Sequence, residues 1–191
     1  MDSKLSFIQI GQDFNPEHLL GFTRVYQQAF AGSPYFEHYE NDDVRKDVWE
    51  PHLKDGCIFL ALQDGQVVGL SCAMPMDKWG HDDEFQGFIA RNQDRLPNHP
   101  ANICFMTEAA VLPEYQGKKI GTELVKWLVE WSRSLGFRHY MMRTAKIGSN
   151  SIHIFLKLGG QIMENLIQDV SEHAAKVESQ STERIYIQGV I

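Results

Sequence analysis

Apolar and polar residues alternate over residues 5–10, the period of a half-buried strand. The next stretch places Leu19, Leu20, Phe22, Val25, Tyr26 and Phe30 on or near one face of a helix. Asn15-Pro16-Glu17 starts that helix with a capping side chain, a proline in the first turn and an acid on the dipole. Gly32-Ser33-Pro34 breaks it. Asn41-Asp42-Asp43 is expected to cap a second helix to about Leu53, with Val44 and Val48 inward. Asp55-Gly56 then turns the chain into a strand over residues 57–62. Gln63-Asp64-Gly65-Gln66 is a tight turn, and residues 67–74 return as the second arm of a hairpin. Residues 76–101 form a polar, irregular insertion in which Phe85, Phe88 and Ile89 have the spacing of one helical turn.

Residues 102–111 predict a buried strand, and residues 122–135 an amphipathic helix closed by Gly136. A strand follows over residues 137–143. Ser149 or Asn150 caps a helix to Leu158, which Gly159-Gly160 ends. Residues 161–170 and 184–191 read as two final strands, with a polar loop lacking any core pattern between them. There is no repeat, low-complexity tract or linker, so the expectation is one domain over residues 1–191. Its class is α/β with a mixed sheet, in the order β-α-α-β-β-β-α-β-α-β-β, with helices on both faces.

Composition is that of an ordinary globular protein, and the formal charge is −7. That disfavours a nucleic-acid or anionic-membrane binder, which would present a basic patch, and suits a cationic partner such as an amine. The three cysteines, Cys57, Cys72 and Cys104, lie far apart in apolar runs and read as buried thiols in a reducing compartment. No run is long enough to span a membrane, and Met1-Asp2-Ser3-Lys4 lacks a signal-peptide pattern. A cytoplasmic location is expected.

Between the strand ending at Val111 and the helix from Thr122 lies Leu112-Pro113-Glu114-Tyr115-Gln116-Gly117-Lys118-Lys119-Ile120-Gly121. A glycine-bearing loop at a helix start is an anion site, because unpaired N–H groups and the positive end of the dipole converge there. This string resembles the acyl-CoA loop of the GNAT N-acetyltransferase superfamily, whose core pattern is Arg/Gln-x-x-Gly-x-Gly/Ala. Gln116 and Gly121 match its first and last positions, while Lys119 stands at the usual middle glycine. If that position needs a positive φ, lysine costs about a kcal/mol or more. The element order of the whole chain also matches the GNAT fold.

The resemblance implies acetyl-CoA as co-substrate, with no metal. It implies that the amides of Gly117, Lys118, Lys119, Ile120, Gly121 and Thr122 bind the pyrophosphate, with help from the Thr122 hydroxyl. It also implies that Ala109, Ala110 and Val111 border a gap in the sheet filled by the pantetheine arm, where an N–H polarises the thioester carbonyl. The implied reaction is direct acetyl transfer to a primary amine on a small molecule or protein.

An ammonium must lose a proton before it attacks, and Glu108, which interrupts an apolar strand, is the candidate base. Otherwise Glu108 is an ion pair or hydrogen bond across the sheet. The family's helix tyrosine, a proton donor to the leaving thiolate, falls on Phe155, so no tyrosine acid operates there. His153 is a weaker candidate acid, and Asn150 and Phe155 are expected against the CoA arm. By analogy Tyr35, Phe36 and Trp79 face the acceptor. His81-Asp82-Asp83-Glu84 is a weak metal or cation constellation. Homodimers are frequent in the family, but no residue here establishes one. Two other readings stay open: a non-catalytic acyl-CoA sensor on the same fold, motivated by Phe155, and a phosphate- or nucleotide-binding α/β protein.

Overall fold

The computed structural model describes residues 4–80, 83–170 and 180–191. The His81-Asp82-Asp83 part of the acidic constellation and most of the polar loop before the last strand lie outside the described residues and side chains.

One seven-stranded sheet organises the chain, in the order β1-β2-β3-β4-β5-β7-β6. The strands are β1 (Leu5–Gln9), β2 (Cys57–Gln63), β3 (Gln66–Pro75), β4 (Ile103–Val111), β5 (His139–Ala145), β6 (Gln161–Asp169) and β7 (Glu183–Val190). Every neighbouring pair is antiparallel except β4 and β5, which run parallel. The hairpin β2-β3 turns at Asp64 and Gly65, both at positive φ (51° and 84°), as the Asp-Gly signal predicts.

Helix α1 (Pro16–Phe30) starts where expected, with the Asn15 side chain accepting from the Glu17 amide. The next helical stretch runs as α2 (Asn41–Asp43), a π-helical turn (Val44–Trp49) and α3 (Glu50–Asp55). Its N-cap is Glu40 rather than the predicted Asn-Asp-Asp cluster, with the Glu40 amide donating to Asp43 at 3.3 Å. The wide turn precedes Pro51, whose missing N–H interrupts the regular ladder. The polar insertion is more ordered than its composition suggests. It holds α4 (Asp83–Arg91), which buries Phe85 and Ile89 under β4 and β5 with Phe105 and Met141.

Helix α5 (Ile120–Ser134) begins two residues earlier than predicted, because Lys119 takes a left-handed conformation and turns the chain directly into it. Ile120, Leu124 and Leu128 of α5 are buried in the main core. Helix α6 (Ser151–Lys157) follows β5. Helices α5 and α6 cover one face of the sheet: the Ser132 hydroxyl meets Cys104 at 2.9 Å, and Phe155 packs on Tyr140. Helices α1 and α4 lie on the other face. All three cysteines are free and buried, and burial raises each thiol above its ordinary pKa. Among the described residues no helix is long and apolar enough to cross a membrane.

Candidate active site

Strands β4 and β5 pair only from Ile103↔His139 to Met106↔Met142. Beyond Met106 they diverge, and the groups of β4 that face β5 lose their ladder partner. The gap opens into a cavity of about 1210 Å³. That exceeds the roughly 300–1,000 Å³ of an ordinary small-ligand pocket and suits two substrates meeting end to end.

Where β4 leaves β5 it also changes parity. Cys104 and Met106 face α5, as the Ser132 contact shows for Cys104. The register against β3 then slips: Ala73 pairs with Met106, but Cys72 pairs with Glu108, so Thr107 is the extra residue of a β-bulge. After the bulge Ala109 and Val111 face α5. Ala109 is opposite Ser71, whose hydroxyl donates to Leu124 of α5, and Val111 lies by Gly121. A one-residue slip exchanges the two faces of a strand. Without it Glu108 would point into the α5-packed core. With it, Glu108 points to the α1 face and into the cavity.

The bulge is pinned from outside the sheet. The Thr107 hydroxyl lies 2.6 Å from His52 Nε2 and 3.2 Å from the Cys72 carbonyl oxygen, and its proton is shared between those acceptors. His52 Nδ1 donates to the Val48 carbonyl at 2.6 Å, which fixes the tautomer. This imidazole is fully buried, and burial lowers its pKa from 6.5 to about 4, so it stays neutral.

Glu108 is 7% exposed, and its carboxyl has no hydrogen-bond partner among the described residues. The ion pair or cross-sheet hydrogen bond left open by the sequence is therefore not what holds it. Burial first, then the charge of Glu37, raises its pKa from 4.5 to about 8, while Arg143 pulls it down. Around it stand Tyr26, Tyr39 and Glu37. The Tyr39 hydroxyl donates to Glu37 at 2.7 Å, and Arg184 pairs with the other Glu37 oxygen at 3.3 Å. Burial, and next to it a carboxylate, raises both tyrosines well above the ordinary phenol.

At the other end of the cavity lies the glycine loop. Gly117 and Lys119 both have positive φ (74° and 65°), so the position where the pattern has glycine does require it, and Lys119 bears the strain. The amides from Gly117 to Thr122 have no backbone acceptor among the described residues, and they sit at the N-terminus of α5. An anion here would meet several converging donors. Gln116 turns its amide back onto the Val111 carbonyl at 3.1 Å and so braces the loop. The Lys118 ammonium sits 4.7 Å above the Tyr115 ring.

Of the residues singled out from sequence, Glu108, Ala109, Ala110, Val111, Gln116, Gly117, Lys119, Ile120, Gly121, Thr122, Asn150, His153 and Phe155 all line this one cavity, as do Tyr35 and Trp79. Lys118 and Phe36 do not. Phe155 is buried against Tyr140, ring centroids 5.8 Å apart, and His153 is exposed at the rim. Sequence reasoning missed Glu37, Tyr39, Thr107, Arg143 and Arg184. Arg143 is a charge inside an apolar strand, the same signal that singled out Glu108.

The model of the acetyltransferase (GNAT) family matches residues 22–160. Among solved structures, the ribosomal-protein-S18-alanine N-acetyltransferase from Escherichia coli superposes with a TM-score of 0.67 at 12% identity, over 98% of this chain and 94% of that one. A Salmonella typhimurium protein solved with its cofactor acetyl-CoA gives 0.67 at 14% identity, over 100% and 94%. The PaiA N-acetyltransferase from Thermoplasma acidophilum in complex with coenzyme A gives 0.62 at 13%, over 98% and 99%. No curated protein matches the chain by sequence. The family model spans most of the chain, from within α1 through the glycine loop to the end of α6, and the chain belongs to the GNAT acetyltransferase family.

Proposed function

We propose that this protein transfers an acetyl group from acetyl-CoA to a primary amine, with Glu108 as the general base. One observation carries the reading: the bulge at Thr107 turns an otherwise unpartnered carboxyl into the gap that the glycine loop closes at its other end. The cofactor supplies an activated thioester. The free amides from Gly117 to Thr122 and the Lys119 charge suit its pyrophosphate, and the edge of Ala109 to Val111 that β5 no longer covers, with the Val111 carbonyl held by Gln116, suits its amide-bearing arm. On the α1 face the ionised Glu108 draws in the ammonium. Glu108 accepts its proton, so that the neutral amine attacks. A raised pKa makes Glu108 a stronger base than an exposed carboxylate, provided the pH is high enough to ionise it. Phe155 leaves no acid at the usual tyrosine position; as the tetrahedral intermediate collapses the nitrogen loses its second proton to solvent, and the departing thiolate takes a proton from solvent or from His153.

That same Phe155 favours a second reading, a module that binds acyl-CoA without turnover. Titration with acetyl-CoA, with ATP as control, followed by an amine screen for CoA release separates the two. Binding with release is the expected result. Binding with no release from any amine supports the sensor. ATP binding as tight as that of acetyl-CoA overturns both.

A further inference from the structure

We propose that Arg143 recognises a carboxylate on the acceptor, so that the preferred acceptor is an amino carboxylate such as an amino acid rather than a simple amine or polyamine. This rests on the acetyltransferase reading and names the substrate class of that site. Arg143 is the first residue of β5 beyond its last pair with β4, and it shares a face with Glu108 across the gap. Paired strands lie about 4.8 Å apart, and these have already diverged, so a ligand fits between the two side chains.

The guanidinium is half-buried yet forms no ion pair with any described residue. It is held from behind. Gln168, 4% exposed, accepts from it at 3.0 Å, and the Phe85 ring lies 5.3 Å below. Gln168 is itself fixed, accepting from the Tyr186 hydroxyl at 2.8 Å and donating to Glu84 at 3.2 Å. Most of the N–H donors of Arg143 therefore remain unused in a wall of the cavity. Burying a cation costs free energy unless a partner repays it. Arg184, the other arginine of the cavity, is already committed to Glu37 and to the Ser181 carbonyl. Glu108 does not serve as the partner of Arg143, since no contact within ion-pair distance joins them. What is missing is a planar anion from outside, and the guanidinium fork matches a carboxylate in two parallel hydrogen bonds.

Matched pairs test this: phenethylamine with phenylalanine, tyramine with tyrosine, cadaverine with lysine. Each pair differs only by the carboxylate. Transfer from acetyl-CoA is measured as CoA release, and binding to the CoA-loaded protein is measured by calorimetry, for wild type and Arg143→Gln. The expected result is that at least one amino acid exceeds its decarboxylated partner by about tenfold or more in kcat/KM. Because Arg143 also lowers the Glu108 pKa, each protein is compared on its high-pH plateau, where the variant loses that preference through KM while the decarboxylated amine keeps its kcat. Transfer without carboxylate preference overturns the assignment of Arg143 and leaves the enzyme reading intact. An equal loss for both members of a pair also overturns it, since a structural role would act that way. Carboxylate-dependent binding without transfer overturns the enzyme reading and upholds Arg143. Neither binding nor transfer overturns both.

Discussion

Glu108 has one cost and one use. Its folded-state pKa of about 8 lies far above its ordinary value of 4.5, which destabilises the fold at neutral pH by on the order of a few kcal/mol. Substitution by glutamine should therefore raise the melting temperature at pH 8 while lowering kcat by roughly a hundredfold or more. Calorimetry and CoA-release kinetics on one preparation check both halves. Lys119 is strained in a similar way. Lys119→Gly should stabilise the protein by about 1 kcal/mol, because the left-handed conformation suits glycine. The same variant should bind acetyl-CoA more weakly and with a shallower salt dependence if the lysine serves the phosphates. Unchanged affinity would make the strain unexplained. Glu108 and Lys119 were both legible in the sequence, one as a charge in an apolar strand, the other as a departure from a glycine pattern. What their backbones do was not, because φ at one residue leaves no mark on periodicity.

The bulge in β4 decides which face receives the carboxyl. Thr107→Val keeps shape but leaves His52 Nε2 without a donor, at a cost of about 1–3 kcal/mol. If the bulge relaxes, kcat should fall by about tenfold or more, while Thr107→Ser restores it and acetyl-CoA affinity stays put in both. An unchanged kcat in Thr107→Val would show that the sheet holds the bulge unaided. The strands and main helices were readable to within a few residues, since their cores repeat with the right period. The bulge was not readable. Its extra residue breaks no apolar pattern, and its anchor comes from a helix 55 residues upstream. The helix α4 was half-readable: Phe85 and Ile89 gave one turn, but the polar residues around them concealed its length.

Over the whole molecule two buried groups that titrate between pH 4 and 8, His52 and Glu108, act on stability in opposite directions. His52 binds its proton in the unfolded chain near pH 6.5 but in the fold only near 4, so stability falls as pH drops through that window. Glu108 keeps its proton in the fold up to about 8 but loses it in the unfolded chain near 4.5, so stability falls as pH rises between them. The effects oppose each other below pH 6.5, and above it only Glu108 acts. Melting temperature should therefore decline from pH 6.5 to 8 in the wild type and stay flatter in Glu108→Gln. The same ionisation should switch catalysis on, because only the carboxylate can accept a proton. The decisive measurement is the pH profile of acetyl-CoA-dependent amine acetylation in the wild type and in Glu108→Gln, with acetyl-CoA binding followed in parallel. The expected result is wild-type turnover that climbs towards a plateau above about pH 8 and a variant that binds acetyl-CoA normally but has lost that limb. A variant with the wild-type rate and profile would contradict the role of Glu108, and a wild type that binds no acetyl-CoA would contradict the reading of the cavity.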